Sequence, residues 1–136
     1  MQKNKVFVKI GYTGNNFGAY VPLLDGCVAT GATPKEVIEN IKEAIAFHIQ
    51  SSLEDNEPIP EVFKSDYILG YKFNAESLLN YYKGIFTNAA LERMTGINQK
   101  QVQHYASGLR KPSPETKKKI ETALHRLGEE LIAVEL

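Results

Sequence analysis

The feature that most limits how this chain can fold is a single change of apolar period near Phe73–Ala75. Before it, apolar residues alternate in short runs broken by glycine, proline and asparagine; after it, they recur only at helical spacing. Lys5–Tyr12 places Val6, Val8 and Ile10 on one side and Phe7 and Lys9 on the other, which predicts a half-buried strand. Gly14, Asn15 and Asn16 then turn the chain into Phe17–Val21, and Asp25-Gly26 into a short strand over Cys27–Thr30. Thr33-Pro34-Lys35-Glu36 starts a helix, with Thr33 as cap, proline at the first position and Glu36 closing a capping box. Val37, Ile38, Ile41, Ala44, Ile45, His48 and Ile49 form its apolar stripe. A fourth strand follows at Tyr67–Phe73, weakened by Gly70. Residues 1–74 thus read as a βββαβ unit with one helix on a small antiparallel sheet, and 75–136 as an all-α unit, an α+β chain in total.

In the second unit the pattern predicts helices over Ala75–Lys83, Asn88–Met94, Gln99–Ser107 and Pro114–Ile132, capped by Asn74, Thr87, Asn98 and Ser113. Ile120, Ala123, Leu124, Leu127 and Leu131 make the buried stripe of the last helix. Thr95-Gly96-Ile97-Asn98 is a tight turn between two short helices. Asn98 caps the second of these, with Gln101 three residues on, and Gly108 ends it. That helix carries Gln99, Lys100, Gln103 and His104 on a face that no core requirement explains, while Val102 and Tyr105 fall inward. Gln and Lys are side chains suited to base edges in a major groove.

The segment TNAALERMTGINQKQVQHYASGLRKPSPE resembles the phage-repressor, or XRE-type, helix-turn-helix, through Thr87, Leu91, Gly96, Ile97, Val102, Gly108 and Pro112. The resemblance implies that Gln99, Lys100 and His104 touch bases and that Thr87, Asn88, Arg110 and Lys111 touch phosphate. One departure stands out: the slot four residues before the turn glycine is usually small, and here it is Glu92, whose stem must bend outward.

Charge agrees with a phosphate-binding C-terminal half. The formal net charge is zero, yet Arg93–Lys119 holds seven basic residues against one acidic, and Glu54–Asp66 one basic against five acidic. Enzymatic function finds no footing. Residues 5–30 contain one carboxylate, Asp25, too few to hold the divalent ions of a metal-dependent phosphodiesterase. Cys27 reads as a small buried residue, His48 as a packed one and His125 as surface, and the three histidines lack metal-ligand spacing. No catalytic residue, metal or cofactor is expected. One cysteine, no signal-peptide core and no apolar run of about 20 residues make cytoplasmic the default, with no membrane partner.

The strings GAYVPLLDGCVATGATPKEVIENIKEAI and NEPIPEV resemble the HicB family of antitoxins. The landmarks are Tyr20, Val21-Pro22, Gly26-Cys27, Gly31, Thr33, Lys35-Glu36 and Pro58–Pro60; Leu24-Asp25 and Val37 depart from the usual pattern. The resemblance implies a partial RNase H-like fold in residues 1–74, binding of a small HicA-like mRNA-cleaving toxin, and repression of the chain's own operon by residues 75–136. The partners then are double-stranded operator DNA and the toxin, with the chain a homodimer or homotetramer. Glu54, Asp55, Glu57 and Glu61 would offer charge complementarity to a basic toxin; the plainer reading of them is a solvated linker. The alternative is a stand-alone helix-turn-helix regulator whose N-terminal unit senses a ligand or a protein. A sheet unit of this size leaves little room for a pocket of several hundred Å³.

Overall fold

Alternation in β1 (Asn4–Tyr12) translates directly into burial: Val6, Val8 and Ile10 are buried, and Lys5, Phe7 and Lys9 are exposed. The computed structural model describes residues 4–136. A turn closed by the Thr13 N–H donating to the Asn16 carbonyl (3.0 Å), with Gly14 at φ 98°, leads into β2 (Phe17–Tyr20). β2 is antiparallel to β1, with Ile10 opposite Ala19 and Tyr12 opposite Phe17. β3 (Val28–Gly31) then lies antiparallel to β2. Between them the Val21 N–H donates to the Cys27 carbonyl at 3.1 Å.

α1 (Pro34–Glu54) starts as its cap residues predict, the Thr33 hydroxyl accepting from the Glu36 N–H at 3.1 Å. The Glu36 carboxylate reaches back one residue further than a capping box requires and accepts from the Ala32 N–H at 3.1 Å. Gly31 leaves no space for a side chain, because a Cβ there would stand 2.5 Å from the Val37 nitrogen. The helix, roughly 31 Å long for 21 residues, buries Val37, Ile41 and Ile45, with Ile38, Ala44, His48 and Ile49 half-buried.

The sheet order is β3-β2-β1-β4, and here one expectation fails. β4 (Tyr67–Phe73) runs parallel to β1, with Val6 opposite Leu69 and Val8 opposite Tyr71, so the sheet is mixed rather than antiparallel. The reason is the length of α1: a helix that long returns the chain to the end of the sheet where β1 begins, and a strand laid down from there must run the same way. Gly70 fits the strand because the Phe7 ring lies against it; a Cβ at Gly70 would stand 2.8 Å from the ring.

The chain divides into two compact units inside α2 (Ala75–Tyr81), one ending at Ser77 and the other beginning at Leu78. Asn74 caps α2, its side-chain oxygen accepting from the Ser77 N–H at 2.8 Å. The second unit contains the end of α2, α3 (Asn88–Thr95), α4 (Gln99–Ala106) and α5 (Pro114–Ile132). Its core gathers Leu79, Leu91, Val102 and Tyr105, with Phe86, Met94, Ile97 and Ala106 packed around them. Ile120 is buried, and with Leu124 it lines a small cleft shared with Leu79, Phe86 and Leu91. The stripe on α5 does not run its full length, however. Leu131, expected inside, is 60% exposed, since the helix there has extended past the short elements that could cover it.

Candidate nucleic-acid and partner-binding surfaces

Two short helices and their link organise the polar surface of the second unit. The Thr87 hydroxyl caps α3 by accepting from the Ala90 N–H (3.0 Å), which commits that oxygen to the backbone. Gly96 ends α3 in the left-handed region (φ 76°), and its N–H donates to the Glu92 carbonyl at 2.7 Å. The Asn98 side chain then accepts from the Lys100 N–H at 2.8 Å to start α4. Gln101 does not turn back toward Asn98; its amide donates to the Tyr105 hydroxyl at 3.0 Å.

Glu92 behaves differently from its sequence reading. Its carboxylate accepts from the Gln99 N–H at 2.7 Å, so it caps the neighbouring helix instead of bending outward into water. An anion at a helix N-terminus satisfies a free N–H and meets the positive end of the helix dipole. This seven-residue reach across a turn was not legible from spacing. The Asn80 amide was missed as well: it donates to the Ala106 carbonyl at 2.8 Å and holds the other end of α4.

With both ends fixed, α4 buries Val102 and Tyr105 and turns Gln99, Lys100 and Gln103 to solvent. His104 is half-buried, its Nδ1 shut off from water without a hydrogen-bond partner among the described residues. One member of each predicted DNA-contacting set is joined to the other, for the Asn88 amide donates to the Gln103 side-chain oxygen at 3.0 Å. Arg110 and Lys111 are exposed in the link after α4, where the Arg110 N–H donates to the His104 carbonyl at 3.2 Å and Pro112 is buried. All seven basic side chains of Arg93–Lys119 are exposed. Lys118 meets Glu121 at 3.6 Å, a pair exposed enough to leave the field of the segment nearly intact.

In the first unit the four candidate carboxylates do not form one cluster. Glu54 accepts from the Gln50 amide (3.0 Å), and Glu61 pairs with Lys64 at 3.0 Å in a separate short 3-10 turn, Glu61–Lys64. Asp55 and Glu57 instead border an open groove of about 380 Å³ beside the edge strand β3. The turn that places them has Asn56 at φ 54° and the Glu57 N–H donating to the Ser52 carbonyl at 2.8 Å. The groove also presents Phe47 and Val28, 76% and 64% exposed. Phe47 lies off the apolar stripe of α1, and an aromatic ring on the wet side of an amphipathic helix was the available sign of it.

Cys27 is buried, and burial pushes its thiol pKa up, away from the reactive thiolate. Among the described residues no group of three or more His, Cys, Asp or Glu is placed to hold a metal ion, and no helix is long and apolar enough to cross a membrane.

Comparison with known proteins places the first unit. The family model described as HicB-like antitoxin of bacterial toxin-antitoxin system matches residues 6–78. An uncharacterized 14.9 kDa protein from the rep-hol intergenic region of Haemophilus phage HP1 is 49% identical over 41 residues, 30% of this chain and 31% of that protein. The UPF0150 protein ssr1765 of Synechocystis is 40% identical over 45 residues, 33% of this chain and 57% of its own length. The UPF0150 protein Ta0767 of Thermoplasma acidophilum is 52% identical over 40 residues, 29% of this chain and 58% of its own length. The chain thus spans between 31% and 58% of the length of these relatives, and no solved structure matches it.

Proposed function

The chain belongs to the HicB-like antitoxins of bacterial toxin–antitoxin systems, and from that premise we propose that it neutralises a HicA-like mRNA-cleaving toxin by direct binding and represses its own operon. In this reading the first unit is a partial RNase H-like domain that binds the toxin. The α3–α4 pair is a helix-turn-helix of the XRE type.

One observation carries the DNA-binding part: α4 is held at both ends with Gln99, Lys100 and Gln103 exposed on one side and Val102 and Tyr105 buried on the other, inside the segment of highest positive charge. A helix so mounted can lie in a major groove, where Gln99, Lys100, Gln103 and His104 reach base edges. Thr87, Asn88, Arg110 and Lys111 would then face phosphates. The Asn88–Gln103 hydrogen bond supports a shared role, with one residue fixing the rotamer of the other. Two copies in a homodimer or homotetramer would meet half-sites about one helical turn apart.

For the toxin, the open groove bordered by Asp55 and Glu57 supports a basic partner with an apolar anchor for Phe47. Glu54 and Glu61, already engaged, contribute less. The ligand-sensing alternative gains a cavity of sufficient volume from the same groove, but its openness and exposed rim suit a protein surface better than an enclosed small molecule.

Gel-shift titration against the DNA upstream of the chain's own reading frame tests the first half. Gln99→Ala and His104→Ala should relax sequence preference, by about 1–3 kcal/mol per lost base contact. Lys111→Ala should weaken all duplexes alike and reduce the salt slope. Three variants that bind like the parent would remove the groove assignment. Co-purification with the product of the adjacent reading frame tests the second half, and retention unchanged after neutralising Glu54, Asp55, Glu57 and Glu61 would take the acidic rim out of the interface.

A further inference from the structure

The face of the sheet pointing away from α1 has a composition that core packing does not account for. Strand register puts Lys5, Phe7 and Lys9 of β1, Tyr20 of β2, Val28 of β3, and Ile68 and Lys72 of β4 on this one face. Phe7 and Tyr20 are 40% and 46% exposed. None of the outward positions of the four described strands is acidic, and none of the three lysines is in an ion pair among the described residues.

Rings and cations interleave. Lys9 stands opposite Tyr20 on one side and opposite Lys72 on the other, with its ammonium 6.0 Å from the Tyr20 ring centre. The Lys72 ammonium lies 4.6 Å from the centre of the Phe7 ring. Gly70 sets the posture of that ring: it lies over the glycine, down along the sheet, where any Cβ would collide with it. A glycine in mid-strand commonly marks such a close approach.

We propose that this outer face is a docking platform for single-stranded RNA. Bases stack on rings that lie along a sheet, phosphates follow lysines, and an exposed four-stranded sheet can hold two or three bases in this way. The other occupants fit less well. A second copy meeting it face to face would oppose like charges with no carboxylate to relieve them. A basic partner is repelled, and a bilayer needs side chains that project, which Gly70 denies to Phe7. The hydroxyls of Tyr20 and Thr30 on the same face give a ribose 2′-hydroxyl partners that deoxyribose cannot use. The inference rests on the first unit alone and stands apart from the operator reading.

The test is fluorescence anisotropy of a labelled uridine dodecamer with the full chain at low salt, with a thymidine dodecamer alongside. Tyr20→Ala should weaken RNA binding about tenfold, and Lys9→Glu and Lys72→Glu should weaken it and flatten its salt dependence. Tyr20→Phe should keep stacking but narrow the preference for the uridine strand. The exposed lysine variants keep the test meaningful if Tyr20→Ala unfolds the unit. Absence of binding, or equal binding of both dodecamers, overturns the proposal. So does binding that survives Lys9→Glu and Lys72→Glu but is lost in Arg110→Gln with Lys111→Gln, which assigns it to the second unit. A Tyr20→Ala chain that changes sedimentation mass and leaves RNA binding intact makes the face a protein interface instead.

Discussion

Replacing Glu92 by Ala removes the carboxylate that accepts from the first N–H of α4 at 2.7 Å, and nothing else in the described bonds serves that donor. The freed N–H lies at an exposed helix start, so water takes over part of the bond, and Asn98 still caps the next N–H. Loss of a helix cap costs about 0.5–2 kcal/mol, and solvent access holds the value near the middle, about 1 kcal/mol. For a unit this small that corresponds to a fall of about 4–8 °C in its melting temperature. Glu92→Gln keeps an oxygen acceptor and loses only the charge, so it should recover more than half of the difference. Thermal unfolding followed by circular dichroism for the parent and the two variants is the assay. Glu92→Ala melting with the parent would refute the claim that this carboxylate anchors α4. Equal losses in both variants would mean that charge, and not the bond, sets the effect.

Gly31→Ala should destabilise the first unit by about 2–3 kcal/mol, because the new Cβ meets helix backbone and not a yielding side chain. Gly11→Ala, with nothing within 4 Å of its Cβ, should stay within about 0.5 kcal/mol; urea unfolding of the pair separates the two. Cys27 should react with a disulfide reagent far more slowly in the native chain than in urea, since it is 3% exposed. Burial raises its pKa, so its contribution to stability is present below the ordinary thiol pKa and is lost as pH rises through that value toward the folded one. Unfolding midpoints that fail to fall across this alkaline range, relative to Cys27→Ser, would exclude the linkage. Gly96→Ala should cost about 1 kcal/mol from its left-handed backbone alone, the space around it being open; Gly96→Asn should cost less.

Elements with local causes were legible in the sequence. Thr33, Asn74, Thr87, Asn98 and Ser113 each cap the helix that their side-chain chemistry predicts, because a cap involves residues two or three apart. The face of β1 followed from period alone, and so did that of α4 except at His104, which is half-buried. Non-local arrangements were not. The direction of β4 depends on where a 21-residue helix delivers the chain, and alternation reads the same in a parallel or an antiparallel strand. The capping role of Glu92 depends on the angle between two helices, and the groove depends on a turn at Asn56 that brings Asp55 and Glu57 beside Phe47. Leu131 kept the apolar period of α5 but had no neighbour to meet it. Periodicity reports which side of an element is apolar and is blind to what stands opposite.

The pairing of β1 with β4 joins the strand that leaves the ribosome first to the one that leaves last in its unit. Until Tyr67–Phe73 has been synthesised, β1 lacks the partner for one side of its backbone hydrogen bonds. Non-local closure of this kind slows folding. The nascent chain therefore passes through a stretch of translation in which its hazard is another copy's β1, and any fragment cut before Phe73 makes that interval permanent.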